Sequence, residues 1–466
     1  VSVRARGWTA VGVAATLVLG GGTYAALDAY DVVPGPLTLA DPWPEPAPFP
    51  TPPGAQAGPA RPALDDLDAA APLPSEAAVR AAISTLAADA RMGPRVGVAV
   101  VDQITGEVLG SHAADTGLQP ASVMKLIPGV AALTALDLDA TLPTVAVLDG
   151  DRVVLVGGGD IMLGPGAGDP GVVDGRAGLG DLAAQTAEAL RQAGVTTVRL
   201  GVDDSLFSGP TTAPGWSPSY VPDGYAAPVT ALAVHIAKID PSKEYGARHA
   251  DPSLAAGAVF ADRLTEQGIT VTGRATRTSA PADAPRLGQV DSAPLRDVVG
   301  YFLLTSDNTV TEVVARLVAV SQGAPASFEG AGEAMLSVIS GLGVDTTGAR
   351  LADASGLAAG SSVTATMMAQ VVLRATSVEH PALRDVIVSL PVAGLTGTLH
   401  DRFVTSDARG LVRAKTGSLP GVSSLAGTVV AAEGRALVFV VMTDEAPNGT
   451  AARPAIDRFV TALAAA

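Results

Sequence analysis

The chain has 466 residues and no cysteine, which excludes thiol chemistry, disulfides and cysteine-based metal sites. Its net charge is −16, from 46 acidic against 30 basic residues. The basic residues are dispersed rather than gathered into a stripe that would neutralise phosphates, so nucleic acid is set aside as a partner.

The length suits two or three domains, or one large core carrying an insertion. Arg4 and Arg6 precede an uncharged run from Trp8 to Leu27. About twenty residues in a helix span about 30 Å, the thickness of a bilayer core. A basic flank before such a run is an export signal. Residues 1–30 are therefore expected to be a signal or membrane-anchor segment. The protein is then extracytoplasmic, in contact with the membrane if the segment is uncleaved and secreted into the cell wall otherwise. Residues 31–75 are rich in proline and alanine. Stretches such as Pro42-Trp43-Pro44-Glu45-Pro46 cannot build a continuous hydrogen-bonded element and read as an extended linker.

The folded part is expected to begin near Ser75. A helix runs from there to about Ala88, followed by a strand at Val96–Val101, a turn at Gly106 and the returning Glu107-Val108-Leu109. This opening predicts a sheet covered by helices. A second apolar helical run, Ala121 to Leu136, is interrupted at Pro128 and carries Ser122 and Lys125 in its first turn. After Asp139 come short strands such as Val153–Val156, a helix over Leu179–Ala193, a strand at Val198–Val202 and a proline- and glycine-rich stretch through Tyr225. A helix over Ala256–Gln267 and a short strand at Thr270–Thr272 follow. Residues 146–289 are read as an inserted domain dividing a catalytic domain into 76–145 and 290–466. Helices resume at Leu295, Val310 and Gly330. Leu411–Ala414, Gly427–Ala431 and Ala436–Met442, with a helix from Ala451, complete antiparallel strands under a terminal helix.

Lysine is scarce, at four residues against twenty-six arginines, and two of the four lie in short motifs. In Ser122-Val123-Met124-Lys125 the serine and lysine are three apart and share a helix face. A serine hydroxyl is a poor nucleophile until a base takes its proton. A buried amine can be that base, whereas a guanidinium stays protonated. In Lys415-Thr416-Gly417-Ser418, at the end of a strand, Gly417 lets a substrate backbone approach the strand edge. The Ser418 N–H then becomes one oxyanion donor opposite the N–H of Ser122. Lys415 and Thr416 would face a carboxylate. Asparagine is rarer still, at two residues, and one closes Ser306-Asp307-Asn308 ahead of a helix. Period-two spacing sends Ser306 and Asn308 into a cleft with Asp307 turned away. Ser306 is then a proton relay between Lys125, Lys415 and the leaving amine, and Asn308 holds a substrate amide and orients Lys125. The competing reading of this triplet is an ordinary helix cap.

These motifs resemble those of the penicillin-binding, active-site-serine family, and more closely the low-molecular-mass class C D-alanyl-D-alanine carboxypeptidases, the S13 peptidases. Leu155-Val156-Gly157-Gly158-Gly159-Asp160, Asp203-Asp204-Ser205-Leu206-Phe207, Asp353-Ala354-Ser355-Gly356-Leu357 and Leu390-Pro391-Val392-Ala393-Gly394 are secondary similarities, and Ser418 stands where many relatives have threonine. The resemblance implies an α/β (α+β) penicillin-binding, transpeptidase-like fold: an antiparallel sheet covered by helices, with a helical subdomain and an inserted domain. It implies hydrolysis of the terminal D-Ala–D-Ala bond of peptidoglycan stem peptides, with endopeptidase action on cross-links as an accompanying activity. Ser122 would form the acyl-enzyme. Lys415, Thr416 and Ser418 would recognise the terminal carboxylate, and penicillins would acylate the same serine. No metal or cofactor is required. A serine β-lactamase and a non-catalytic peptidoglycan-binding protein are the alternatives.

Other features are read as structural. Gly157-Gly158-Gly159 lacks the spacing of a phosphate loop and is a tight turn. The five histidines make no local metal spacing. Trp216 and Tyr220 either line a cleft or pack between domains. Asp353 and Ser355 build the turn at Gly356. Lys238 and Lys243 are surface residues.

Overall fold

Two strands of this chain, β1 (Val96–Asp102) and β11 (Ala436–Thr443), are apolar almost without interruption, and every residue in both is buried. Such strands require cover on both faces, and the architecture supplies it. The computed structural model describes Tyr24 and residues 68–466. Apart from Tyr24 and residues 68–75, the expected export segment and linker lie outside the described residues. The elements below belong to one compact unit, Asp66–Ala466.

The N-terminal part contains α1 (Glu76–Ala87), β1, β2 (Val108–His112) and α2 (Leu126–Ala135). Residues 143–291 add β3 (Pro143–Asp149), β4 (Arg152–Gly157), α3 (Leu179–Gln192), β5 (Thr197–Asp203), α4 (Pro252–Glu266), β6 (Thr270–Val271), β7 (Thr276–Arg277) and β8 (Arg286–Asp291). Five helices follow: α5 (Leu295–Thr305), α6 (Asn308–Ser321), α7 (Phe328–Gly341), α8 (Ala365–Thr376) and α9 (Arg384–Val388). The chain closes with β9 (Val412–Leu419), β10 (Val422–Val430), β11 and α10 (Gly449–Ala464).

The first sheet has the order β2–β1–β11–β10–β9, antiparallel throughout. Because side chains alternate across a strand, its residues divide between two cores. Ala99, Val101, Ala426, Val438, Val440 and Met442 pack with α2, α6, α7 and α8. Val98, Val100, Leu425, Val429, Phe439 and Val441 pack with Val79 and Ile83 of α1 and with Ile456, Phe459 and Val460 of α10. The second sheet, β6–β5–β4–β3–β8 with β7 also on β5, is mixed: β4, β5, β6 and β7 pair in parallel, and β3 pairs antiparallel with β4 and β8. It has its own core, in which Leu155, Leu200 and Val202 meet Leu182 and Leu190 of α3 and Phe260 and Leu264 of α4. Trp216, Ala226, Val229 and Ile236, from the same stretch of chain, instead join the helical core of the first sheet.

The run expected as one helix from Ala121 to Leu136 is two elements. Ala121–Lys125 is a 3₁₀ turn, and α2 starts at Leu126. Pro128 lies in the first turn of α2, where its missing N–H removes little, so it does not interrupt the helix. No helix among the described residues is long and apolar enough to cross a membrane.

Candidate active site

Ser122 and Lys125 sit on the 3₁₀ turn, entered through Ala121 with φ 48°. Three-residue spacing eclipses side chains on a 3₁₀ turn, and Lys125 Nζ lies 3.0 Å from Ser122 Oγ. Nζ also donates to Asn308 Oδ1 at 2.6 Å and to the Ser355 carbonyl at 2.8 Å. Lys125 is fully buried. This set serves both protonation states. An ammonium uses three donors, whereas the neutral amine keeps two bonds to the oxygens of Asn308 and Ser355 and turns its lone pair to the Ser122 hydroxyl. Burial pulls the Lys125 pKa down to about 8, opposed by the carboxylates of Asp353, Glu312 and Asp307.

The Ser306-Asp307-Asn308 triplet joins α5 to α6. Ser306 ends α5 in the left-handed conformation at φ 64°, with its N–H on the Phe302 carbonyl. Asp307 caps α6, accepting from the Val310 N–H at 2.9 Å. Period-two geometry is therefore not what separates Asp307 from its neighbours; the break between two helices is. The cap and the site use the same three residues. Asn308 is held at its other end, where Nδ2 donates to the Tyr225 carbonyl at 2.7 Å. Ser306 Oγ accepts from Lys415 Nζ at 2.8 Å.

Lys415-Thr416-Gly417-Ser418 lies on β9, the sheet's edge strand. An ideal Cβ on Gly417 would stand 2.1 Å from Ser424 Oγ, 2.8 Å from the Pro120 carbonyl and 3.0 Å from the Ser122 nitrogen. The strand therefore abuts the turn carrying Ser122 only because this residue has no side chain. Ser424 Oγ, donating to the Pro120 carbonyl at 2.6 Å, ties β10 to the same turn. The Ala414 N–H donates away from the sheet to Pro391. Ser418 is in the same phase of the antiparallel ladder, so its N–H also faces the open edge. Thr416 Oγ1 lies 2.8 Å from Thr398 Oγ1, and Ser418 Oγ accepts from Arg453 Nη2 at 3.0 Å. Lys415 is fully buried, with the Ser306 hydroxyl and the Thr416 carbonyl as acceptors. Burial, followed by the nearby positive charge of Lys125, holds its pKa well below the ordinary lysine value.

All eight side chains and glycines singled out in the sequence thus converge on one edge of the first sheet. The Ser355 carbonyl was not among them. A backbone acceptor has no residue-type signature, although the Asp353-Ala354-Ser355-Gly356-Leu357 turn that carries it was visible. Trp216 packs rather than lining a cleft: it is buried, meets Phe328 edge-on at 5.6 Å and donates to Asp353 Oδ2 at 2.9 Å. Tyr220 packs edge-on against Tyr225 at 5.7 Å.

Fold and site together define an active-site-serine enzyme of penicillin-binding, transpeptidase-like architecture. The solved structure of penicillin binding protein 4 from Haemophilus influenzae superposes with a TM-score of 0.68 over 81% of this chain and 97% of that one, at 21% identity. A family model described as the D-Ala-D-Ala carboxypeptidase 3 (S13) family matches residues 79–245 and 236–463. A carboxypeptidase of Mycobacterium tuberculosis is 39% identical over 430 residues, covering 90% of this chain and 89% of its own. A D-alanyl-D-alanine carboxypeptidase of an Actinomadura species is 30% identical over 425 residues, covering 74% of this chain and 77% of its own. The chain belongs to the S13 family, and its activity is that of a serine-type D-Ala-D-Ala carboxypeptidase.

Proposed function

We propose that Ser122 is the nucleophile of this carboxypeptidase, Lys125 its base, and peptidoglycan stem peptides its substrate, with β-lactams as acylating inhibitors of the same serine. The observation that carries the reading is the placement of Lys125 Nζ among Ser122 Oγ, Asn308 Oδ1 and the Ser355 carbonyl. Lys125 takes the hydroxyl proton as Ser122 Oγ bonds to the penultimate D-Ala carbonyl carbon. The Ser122 and Ser418 N–H groups receive the developing oxyanion. As the C–N bond breaks, the proton passes through Ser306 to the leaving amine of D-Ala. Water then hydrolyses the ester by the same route in reverse. Asn308 fixes Lys125 and binds the substrate amide. Lys415, Thr416 and Ser418 hold the terminal carboxylate across the open face of Gly417.

The two amines divide one task. Burial and the charge of Lys125 favour the neutral form of Lys415, whereas the carboxylates of Asp353, Glu312 and Asp307 favour the charged form of Lys125. A substrate carboxylate arriving at Thr416 and Ser418 restores the charge of Lys415. That charge in turn repels the proton of Lys125. The base is thereby released when a substrate of the right kind is bound.

Residues 146–289 are read as an insertion into the catalytic domain, and residues 1–30 as the signal or membrane-anchor segment that places the enzyme outside the cytoplasm. Intact-mass analysis after exposure to benzylpenicillin, with Ser122→Ala as control, tests the site. A persistent adduct on the wild type alone is expected, with D-Ala released from a pentapeptide. An adduct surviving in Ser122→Ala, or none on the wild type, overturns the assignment.

A further inference from the structure

Glu312 lies on α6 one turn beyond Asn308, on the same helix face. It is the lone acid in the run Val310 to Val320, whose other polar residues are Thr311 and Arg316, and is 1% exposed. Both its carboxylate oxygens accept from the Ala354 N–H at 3.1 Å, and Oε1 also accepts from the Ser355 N–H at 2.8 Å. The next peptide unit is clamped by Asp353, also 1% exposed, whose Oδ1 accepts from the Gly356 N–H at 2.9 Å. The carbonyl of that unit is the Ser355 carbonyl that receives Lys125 Nζ. Gly356, at φ 76°, lets the turn pass against the 3₁₀ segment, since a Cβ there would stand 2.0 Å from the Ala121 carbonyl. One face of one helix thus sets two of the three acceptors around the amine: Asn308 directly, and the Ser355 carbonyl through Glu312.

Burying two carboxylates in contact with one loop is expensive, at several kcal/mol per unpaired ion, and apolar residues would pack this helix more cheaply. We propose that Glu312 is a positioning residue for Lys125, fixing the Ser355 carbonyl against Nζ and, with Asp353, supplying the negative charge that keeps the proton on the amine until substrate binds. The charged groups around the pair are Asp353 on the loop, Asp307 at the start of α6, Arg316 one turn further along α6, and Lys415 on β9. Burial, followed by the Asp353 carboxylate, pushes the Glu312 pKa up to about 8. Against them, both its oxygens accept N–H bonds and none of its hydrogen bonds among the described residues offers an acceptor for a carboxyl proton. That pattern favours the ionised form and works against burial and the Asp353 charge, which favour the protonated one.

The inference rests on the proposed role of Lys125, and two measurements keep the failures apart. The first is the second-order acylation rate by benzylpenicillin across pH 5 to 10, in wild type and Glu312→Gln. Loss of the charge should lower the Lys125 pKa, so the rising limb moves acidward by about one pH unit while the plateau falls. The rate at pH 6, relative to each protein's own plateau, then rises about tenfold. Glu312→Asp, which keeps the charge but shortens the reach, should lose plateau rate with its limb in place. A limb that does not move in Glu312→Gln, whether the plateau falls or not, overturns the proposal. The second needs no variant at Glu312. With four lysines in the chain, ¹³Cε resonances can be assigned by single Lys→Arg replacements and titrated in the empty enzyme. Lys125 protonated at pH 7 is expected, and Lys125 already neutral there overturns the proposal. Failure of penicillin to label the wild type would instead refute the reading of Ser122 and leave this titration to decide the role of Glu312.

Discussion

Lys125 and Lys415 are chemically identical side chains buried to the same degree, and their surroundings separate them. Lys125 has three carboxylates in its field, whereas the charge acting on Lys415 among the described residues is that of Lys125. With Lys125 as the proposed base, which must be neutral to act, acylation is expected to rise about tenfold per pH unit below about 8 and to flatten above it; stopped-flow acylation over that range checks the sign. Lys125→Arg cannot deprotonate and should lose about 10²–10⁴-fold in acylation rate with little change in melting temperature. If a substrate carboxylate shifts charge onto Lys415, a stem-peptide analogue amidated at its C-terminus should lose maximal acylation rate as well as affinity. Single-turnover kinetics separate the two, and a pure affinity loss would refute the exchange.

At the scale of elements, the site is a meeting of three termini: the 3₁₀ turn before α2, the break between α5 and α6, and the free edge of β9. Gly417 decides whether the first and third can meet. Gly417→Ala places a methyl group within 3.0 Å of three atoms, Ser424 Oγ, the Pro120 carbonyl and the Ser122 nitrogen. It is expected to displace one oxyanion donor and cost about 10²-fold in acylation, measured with penicillin beside a thermal melt that shows the fold intact. The motifs were legible because they combine rare residue types with chemical purpose. Their local shapes were less so. The switch from 3₁₀ to α at Leu126 and the left-handed Ser306 depend on what the flanking segments pack against, and periodicity does not carry that information.

At the scale of the molecule, distant segments are held to the site by buried polar ties. Trp216, from the stretch between β5 and α4, donates to Asp353, whose turn presents the Ser355 carbonyl to Lys125. Trp216→Phe keeps the ring but removes the donor, and is expected to cost about 1.5–3 kcal/mol in urea unfolding. On the far side of the sheet, Arg435 forks onto Asp102 with two bonds of 2.7 Å, joining the β1–β2 turn to the β10–β11 turn. Although burial raises the Asp102 pKa, Arg435 and Thr105 bring it down to about 2. A carboxylate with a depressed folded pKa contributes stability above its unfolded value, near 4, and loses it as pH falls toward about 2. Arg435→Met strands a buried carboxylate and should cost about 3–5 kcal/mol at pH 7, with the deficit narrowing in denaturant titrations at pH 3.

The sequence by itself determined the family and the class of activity. Scarce lysine and asparagine in three ordered motifs, in a chain without cysteine, single out the proposed nucleophile, base and carboxylate-binding strand, because residue type and short spacing are local properties. Only the tertiary structure decided how they act together. The interval from Lys125 to Asn308 closes to a 2.6 Å contact. The acceptor that completes the environment of Lys125 is a backbone carbonyl aimed by Glu312 and Asp353. Burial and through-space charge set the pKa of an amine, and both arise only once separate stretches of chain have packed against one another.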